Sequence, residues 1–438
     1  MRLSDTFTRA KQELPASPAP VRMYFCGPTV YARAHIGNAR PFVIGMWLAR
    51  WLRARGYDAT LVHNITDIND KIYDAAPGAS AELAERATQW YLEDTKAFGL
   101  GMPDHQPRAS ELVPEIVAAI EELIDRGFAY EVDGDVYYRV ARFAEYGRLS
   151  GQRPDQVEDQ EPNARKEDPR DFALWKANKP GEDTSWDSPW GRGRPGWHIE
   201  CSVMAEQLLG PVFEIHGGGL DLVFPHHENE IAQSCCAFEA RVMANYWMHN
   251  GFLQVEGQKM SKSLGNFVTI NELLATDTFG GRAWPGPSLR FAMLGTHYRQ
   301  PIDWTVAGLK EAHRVAQDWS AFVEKAEPGE VPLTVLDALL DDLNTPKTIA
   351  EMHALRKAGR AEELKASLGL LGIGLVAPET VALSANVRVQ VQTLIDARNT
   401  ARARKDWKES DRIRDELLAM DIVVKDNRDG TTSWEAKR

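Results

Sequence analysis

Hydrophobic and polar residues near the start of the chain follow two different periods, which predict a strand, a helix and a second strand. Residues 21–25 alternate apolar and polar side chains, as a short strand does. Apolar residues then recur at helical spacing from about Arg40 to Arg55, with Pro41 in the first turn and Gly56 at the stop. Residues 59–62 predict the second strand. This order favours the start of a parallel α/β sheet.

A region of different character occupies about 110 to 200. Ser110 is expected to cap an amphipathic helix that Gly127 ends. The dipeptide Asp133-Gly134 predicts a hairpin turn. From about 146 to 196 the chain is rich in Gly, Pro, Asp and Trp and shows little periodicity, which is typical of functional or mobile segments.

Alternating α/β periodicity resumes at about 197–270, and the pattern becomes helical beyond about 305, with a helix expected to start at Thr345. These changes predict six regions. They are the first half of an α/β domain (1–110), an insertion (111–196), the second half of the α/β domain (197–270), a linking region (271–305), a helical bundle (306–385) and a C-terminal region (386–438).

Composition narrows the class of protein. The 438 residues are 43% hydrophobic and 26% charged, which is ordinary for a soluble enzyme of two or more domains. No run of about 18 apolar residues and no secretory leader occurs, so we expect a cytoplasmic protein without a membrane segment. The four cysteines are too few for a disulfide framework, so they are candidates for a metal site. The net charge of −12 argues against wholesale nucleic-acid binding but allows a local basic patch.

The segment Ala34-His35-Ile36-Gly37-Asn38 follows the first strand and opens the helix. Backbone N–H groups and the positive dipole at a helix N-terminus suit a phosphate. Gly37 removes a side chain where a flat base could approach the backbone. On its own, however, a histidine before a helix is more often an ordinary surface residue.

A second segment, Lys259-Met260-Ser261-Lys262-Ser263, places two lysines among small hydroxyl residues. Such a mobile cationic loop could clamp a polyphosphate, and the alternative is a merely solvated charged loop. Taken in this order, the two segments resemble the signature pair of the class I aminoacyl-tRNA synthetases.

A third group of residues predicts a metal site. His226 and Glu230 are four apart at an expected helix start and therefore share a face. The metalloprotease pattern H-E-x-x-H fails because position 231 is Ile. With Cys26 and Cys201 the set would be two sulfurs, one imidazole and one carboxylate, which suits Zn²⁺. The alternative is two buried cysteines and an ordinary charged helix start. The adjacent Cys235 and Cys236 are expected to be packing residues.

The sequence around these residues resembles the cysteinyl-tRNA synthetase family. The segments that carry the resemblance are 26–31, 64–67, 175–176, 196–201, 216–219, 224–230 and 289–290. The resemblance is dense over about the first 305 residues and looser beyond them.

This resemblance implies one zinc ion per chain, held by Cys26, Cys201, His226 and Glu230. In the family the metal also takes the substrate thiolate, which separates cysteine from serine where shape alone could not. The resemblance further implies roles in which His35, Lys259 and Lys262 are catalytic, Gly37, Asn38, His216, Gly217, Gly218, Asp221 and Lys262 bind ATP with its Mg²⁺, and Gly27, Thr66 and Trp197 bind cysteine. His216–Gly219 is expected to form a turn. Position 38 is Asn where the family usually has His, which puts the role of that position in doubt.

The fold expected from pattern and resemblance is α/β: a Rossmann-like parallel-sheet catalytic domain with an insertion, then a helical bundle and a small C-terminal domain. The expected reaction is ATP-dependent formation of cysteinyl-adenylate and transfer to the 3′ end of tRNA(Cys), by a protein that acts as a monomer. Two alternatives are a cysteine ligase with an amino-sugar acceptor and a non-catalytic zinc-dependent RNA-binding paralogue. The helical extension favours tRNA over a sugar, as does a basic run that consists of Arg402, Arg404, Lys405, Lys408, Arg412 and Arg414.

Overall fold

A computed structural model describes residues 1–153, 163–261, 263–377, 385–420, 422–426 and 432–436. They belong to two compact units, Met1–Val376 and Ala377–Arg438. Within the described ranges, no helix has both the length and the apolar character needed to cross a membrane.

The strands are β1 Arg2–Asp5, β2 Ala10–Glu13, β3 Pro20–Phe25, β4 Asp58–His63, β5 Ala129–Val132, β6 Asp135–Tyr138, β7 Phe172–Ala177, β8 Gly193–Pro195, β9 Phe213–Gly219, β10 Ala244–Asn250, β11 Leu253–Val255, β12 Gln258–Lys259, β13 Ile302–Trp304, β14 Ile422–Asp426 and β15 Thr432–Ala436. The α-helices are α1 Ile36–Ala54, α2 Asp70–Ala75, α3 Ser80–Phe98, α4 Val113–Asp125, α5 Trp197–Leu209, α6 Glu228–Ala237, α7 Ile270–Ala275, α8 Gly286–Leu294, α9 Val306–Val323, α10 Leu333–Leu340, α11 Thr345–Lys357, α12 Ala361–Leu370, α13 Ala385–Ala403 and α14 Trp407–Ala419. Shorter helical turns include a π-type segment at Val223–His227.

The centre of the first unit is a four-stranded sheet in the order β10-β9-β3-β4. All three strand pairs are parallel, and α1 connects β3 to β4. The predicted β-α-β start of a parallel sheet is therefore confirmed. Because the strands are parallel, their carboxyl ends lie along one edge, where open α/β sheets bind ligands.

The helix after β3 begins earlier than the apolar spacing predicts. It starts at Ile36, so Pro41 lies inside it rather than in the first turn. The N–H of His35 donates to Oδ1 of Asn38 (3.3 Å), and this local hydrogen bond fixes the earlier start. The predicted capping role of Ser110 is wrong, because Ser110 lies in a 3₁₀ turn and its hydroxyl donates to Asp67 (2.6 Å).

The region between the two halves of the parallel sheet contains a second sheet, antiparallel, in the order β5-β6-β7-β8. Its hairpin turn is confirmed, with positive φ at Asp133 (51°) and Gly134 (83°). Strands β7 and β8 lie where the sequence shows little periodicity. Ala173, Leu174 and Trp175 are buried in succession, so β7 has none of the alternation that marks a half-exposed strand.

Helices α9–α12 follow and pack into the first unit. Their apolar residues share one core with the helix α1, including Trp51 from α1 and Trp319 and Leu339 from the later helices. The helix expected to start at Thr345 is present, although the capping side chain is that of Asn344, which accepts from the N–H of Lys347.

The buried carboxylate of Asp342 ties the N-terminal hairpin to this region. It accepts hydrogen bonds from the N–H of Ser4 (2.7 Å), the hydroxyl of Ser4 (2.6 Å) and the hydroxyl of Tyr298 (2.7 Å). We expect Asp342→Asn to lower the free energy of unfolding by about 2 kcal/mol, because hydrogen bonds to a buried charge are stronger than neutral ones. Asn tolerates the positive φ of this position (60°), so the backbone conformation does not have to change.

The control for that variant is Asp341→Asn, one residue away. Asp341 makes ion pairs with Arg2 and Lys11, but all three side chains are more than 40% exposed. Exposed pairs contribute little, so the expected change is within about 0.5 kcal/mol. Urea denaturation of both variants makes the comparison, and equal losses of stability would contradict the role of Asp342 in holding the N-terminal hairpin.

The C-terminal unit has α13 and α14 packed beside a β14–β15 hairpin, over a small core of apolar side chains. The guanidinium of Arg398 donates to both carboxylate oxygens of Asp426 (2.8 and 2.9 Å). Arg402 also pairs with Asp426, and Arg412 pairs with Glu409 and Glu416. Two residues of the predicted basic run are therefore engaged in ion pairs within the unit.

Candidate functional site

Four side chains from three separate segments converge beside the carboxyl ends of β3 and β9. Cys26 directly follows β3, Cys201 lies on α5, and His226 and Glu230 lie at the junction of the π-type segment and α6. All four are buried, and their donor atoms lie within 4.8 Å of one another. The structure therefore brings together the four residues that the sequence predicts as zinc ligands.

The distances within this cluster fit a tetrahedral zinc site. The two sulfurs are 4.0 Å apart, Sγ of Cys26 is 3.6 Å from Oε1 of Glu230, and Nε2 of His226 is 2.9 Å from the same oxygen. Ordinary zinc bond lengths require edges of about 3.3–3.8 Å in a tetrahedron of such donors. Small side-chain adjustments bridge the difference, and the donor chemistry suits zinc.

A second combination of donors shares two of these residues. Cys26, His216, His227 and Glu230 also lie within the same limit. However, His216 already uses Nε2 to contact Oε2 of Glu230 (2.7 Å), the oxygen that faces away from His226. Orienting a ligating carboxylate through its other oxygen is a typical outer-shell contact. We therefore take the set with two cysteines as the better candidate and His216 as its support.

Further histidines surround the cluster. Nδ1 of His226 is 2.7 Å from Nδ1 of His198, which leaves Nε2 of His226 facing Glu230. Nε2 of His227 lies 3.4 Å from the sulfur of Cys26, and Nδ1 of His227 lies 2.7 Å from Nε2 of His249. These contacts hold the orientations of the rings around the donors.

Three ionisable side chains of the cluster have strongly shifted pKa values. Burial opposes ionisation of His226, but Glu230 and Cys201 outweigh it and raise the pKa of His226 to about 10. A hydrogen bond with Cys26 lowers the pKa of Cys201 to about 6 despite burial. Burial is also outweighed at Glu230, whose pKa is held well below its usual range by His216 and His226. These shifts favour the ionised, metal-binding forms of Cys201 and Glu230. His226 is protonated, and burial raises the pKa of Cys26, so both of these groups must release a proton when a metal binds.

The predicted cysteine-binding residues lie against the same cluster. The indole of Trp197 stacks on the ring of His226, with centroids 4.2 Å apart. The N–H of Gly27 donates to Oδ1 of Asn64 (2.8 Å), and the amide nitrogen of Asn64 donates to the hydroxyl of Thr66 (3.2 Å). The structure places Gly27, Thr66 and Trp197 around the cluster, and it adds Asn64 as the residue that connects two of them.

The two predicted ATP-binding segments also lie together. His35 is the residue before α1, and its ring packs edge-on against Phe267 (5.1 Å), which follows the lysine loop. A Cβ at Gly37 would lie 3.4 Å from the Met260 methyl. Lys259 is exposed at the end of β12, whereas Lys262 lies outside the described residues.

The predicted turn at His216–Gly219 is wrong, because these residues form the end of β9. His216 is fully buried and faces Glu230, so its ring is placed to support the metal cluster. The neighbouring glycines are needed for close packing: a Cβ at Gly217 would lie 2.3 Å from the Phe25 ring. Asp221, just beyond the strand, is exposed in a 3₁₀ turn.

Solved structures with a similar fold are aminoacyl-tRNA synthetases. The methionyl-tRNA synthetase of Mycobacterium tuberculosis in complex with methionyl-adenylate aligns with a TM-score of 0.55 at 15% identity, covering 81% of this chain and 89% of that chain. A leucyl enzyme, in the ternary complex of Agrobacterium radiobacter K84 agnB2 LeuRS-tRNA-LeuAMS, aligns with a TM-score of 0.54 at 11% identity, covering 82% and 83%. Residues 12–314 match the tRNA synthetases class I (C) catalytic domain. Fold and site thus define a class I aminoacyl-tRNA synthetase.

Closer relatives specify the family. Residues 387–434 match the cysteinyl-tRNA ligase anticodon binding domain. The cysteine–tRNA ligase of Rhodopseudomonas palustris (strain BisB5) is 51% identical over the full length of both chains. That of Methylocella silvestris is also 51% identical, covering all of this chain and 99% of the relative. The chain belongs to the cysteine–tRNA ligase family.

Proposed function

We propose that this protein activates L-cysteine with ATP to form cysteinyl-adenylate and transfers the cysteinyl group to the 3′ end of tRNA(Cys). The observation that carries the proposal is the convergence of Cys26, Cys201, His226 and Glu230 at the carboxyl edge of the parallel sheet. Family membership supports the reaction class. The buried donor set supports cysteine as the amino acid.

In this proposal those four residues hold one zinc ion. When bound, zinc supplies a soft Lewis acid that favours a thiolate over a neutral hydroxyl, and so separates cysteine from serine. His216 and His198 orient the Glu230 and His226 donors through the 2.7 Å contacts described above. Trp197 covers the His226 ring and limits access of water to that side of the cluster.

For activation, the cysteine carboxylate attacks the α-phosphorus of ATP and pyrophosphate leaves. Little covalent chemistry is required of the protein, so the work is positioning and stabilisation of charge. The N-terminus of α1 supplies N–H groups and a positive dipole for phosphate, with His35 beside it. We assign Lys259 and Lys262 to the charge of the polyphosphate, which also binds Mg²⁺. Gly217, Gly218 and Asp221 border the adenosine.

Asn38 has a structural task that bears on its departure from the family pattern. Its Oδ1 accepts the N–H of His35 and so caps the first turn of α1. The side-chain amide nitrogen of Asn38 is the group that we assign to the nucleotide. Asn thus maintains the helix start while it supplies one donor.

For transfer, the acceptor is the ribose hydroxyl at the 3′ end of tRNA(Cys). The C-terminal unit is proposed to contact the anticodon, since residues 387–434 match a domain of that description. Because Arg402 and Arg412 are paired within the unit, we assign contact with RNA phosphates to Arg404, Lys405, Lys408 and Arg414. A local basic strip reconciles tRNA binding with the net charge of −12.

Exchange of labelled pyrophosphate into ATP tests the activation step. The zinc-loaded protein is expected to catalyse cysteine-dependent exchange without tRNA, because adenylate formation requires only cysteine, ATP and Mg²⁺. Serine is expected to support exchange at least about a hundredfold less efficiently, since it lacks the sulfur donor. Absence of exchange with cysteine in protein of verified zinc content would contradict the proposed activity.

A further inference from the structure

Residues at or near the start of α1 contact the chain on both sides of the loop that carries Lys259. On the exit side, the N–H of Ile36 donates to the carbonyl of Val268 (2.9 Å), and the N–H of Ile270 donates to the carbonyl of Ala34 (3.0 Å). These two backbone hydrogen bonds join the segment after the loop to the segment around His35. They explain how the exit of the loop is positioned. The entry to the loop is the junction between β10 and β11, which needs a separate contact.

The entry to the loop is held by a buried arginine on α1. The guanidinium of Arg40 donates to the carbonyls of Gly251 (2.6 Å), Phe252 (3.0 Å), His297 (3.3 Å) and Gln300 (2.7 Å). The first two carbonyls belong to the junction between β10 and β11. The hairpin β11–β12 starts there and ends at Lys259.

The same junction is joined to the chain beyond α8. The N–H of Gly251 donates to the carbonyl of Tyr298 (2.9 Å), and the N–H of Ile302 donates to that of Phe252 (3.0 Å). A Cβ at Gly251 would lie 2.6 Å from the Gln300 carbonyl, so the two backbones cross at contact distance. The guanidinium of Arg40 lies where α1 contacts both of these backbone segments.

Burial of the charged Arg40 side chain at this position is energetically unfavourable. Its side chain is 2% exposed, and burial lowers its pKa to about 10. The four acceptors described above are backbone carbonyls, which compensate a buried cation less well than a carboxylate does. A charge retained in such a position, five residues after His35, needs a reason beyond packing.

We infer that Arg40 is a positioning residue for the ATP-dependent step: it holds the β10–β11 junction against α1 and thereby sets the position of Lys259 relative to His35. The inference rests on the proposed function, because it assigns both residues to ATP. It does not place Arg40 in contact with substrate.

The test compares Arg40→Met and Arg40→Lys with Arg290→Met in the full-length, zinc-loaded protein. Arg290 is a matched control, since it is also buried (8% exposed), donates to the carbonyls of Phe98 and Gly372, and has its pKa lowered to about 10. It lies on α8, and neither of these contacts involves α1 or the lysine hairpin. Pyrophosphate exchange gives kcat and KM for ATP and cysteine separately, and hydrogen–deuterium exchange reports on residues 251–259.

We expect Arg40→Met to lower kcat/KM for ATP about tenfold or more and to leave the KM for cysteine within about twofold, because misplacement affects only the ATP side. Arg40→Lys keeps the charge and recovers part of the loss. Residues 251–259 exchange deuterium faster in both variants. Arg290→Met leaves the ATP kinetics and the exchange of this segment unchanged.

Equal losses for ATP and cysteine, or the same kinetic change in Arg290→Met, would overturn the inference by reducing Arg40 to general stability. If Arg40→Met does not fold, Arg40→Lys decides on the same criteria. If the wild-type protein shows no cysteine-dependent exchange, the proposed function fails. The deuterium exchange of residues 251–259 then still decides whether Arg40 holds the junction.

Discussion

Replacement of Cys201 by Ala is expected to abolish tight zinc binding and cysteine-dependent pyrophosphate exchange together. Cys201 contributes one of only two sulfurs to the cluster, and its pKa of about 6 makes it the donor most readily available as a thiolate. Loss of an outer-shell partner already costs about 10–100-fold in metal affinity, so loss of a ligand exceeds that. Zinc content after dialysis against a chelator, followed by exchange kinetics, measures both effects.

Two comparisons make this prediction specific. Cys235→Ala is expected to retain the zinc content of the wild-type protein. Cys235 lies five residues after Glu230 on α6 and belongs to neither of the two donor sets. His216→Ala is expected to retain zinc with weakened affinity, since His216 only orients Glu230. Equal zinc content in the Cys201 and Cys235 variants would refute the ligand set. Complete loss with His216→Ala and none with Cys201→Ala would favour the second set.

Replacement of Gly27 by Ala is expected to lower kcat/KM for cysteine about a hundredfold and to destabilise the protein by about 3 kcal/mol. An added Cβ would lie 1.6 Å from the carbonyl oxygen of Asn64, so the backbone itself must move. That movement displaces the contact between the Gly27 N–H and Oδ1 of Asn64, and with it the residue that supports Thr66. Thermal unfolding and exchange kinetics measure the two effects.

The control is Gly369→Ala on α12. This glycine is exposed, has helical backbone and has no atom within 4 Å of an added Cβ. Alanine is therefore expected to stabilise the protein by up to about 1 kcal/mol and to leave the kinetics unchanged. If Gly27→Ala behaved like Gly369→Ala, the cysteine pocket would not lie where we place it.

The parts of the fold that could be predicted are those with a clear local period. The alternation at residues 21–25 and the Asp133-Gly134 turn both predict the elements that form. The start of α1 was misplaced because Pro41 is a common first-turn residue, whereas the hydrogen bond at His35 and Asn38 sets the start earlier. Strand β7 was missed because it is buried on both faces and lacks alternation.

For the site, the sequence could identify donors but not their supports. Cys26, Cys201, His226 and Glu230 stand out by residue type and by resemblance to a family. The supporting roles of His216, His198, His227 and His249 depend on ring contacts between distant segments, which no local period encodes. The signals in the sequence are the adjacent pair His226-His227, the nearby His198, and His216 in a segment that carries the family resemblance. Asn64 lies in a segment that carries the family resemblance, but its supporting role is recognisable only from its contact with Gly27.

Transfer of labelled cysteine to its acceptor tests the central claim most directly. The zinc-loaded protein is incubated with ATP, Mg²⁺ and labelled cysteine, and either tRNA(Cys) or a glucosamine-type amino-sugar is supplied. The account predicts ATP-dependent labelling of the tRNA 3′ end and no labelling of the sugar. Labelling of the sugar alone would contradict it and would assign the same activation chemistry to a different ligase.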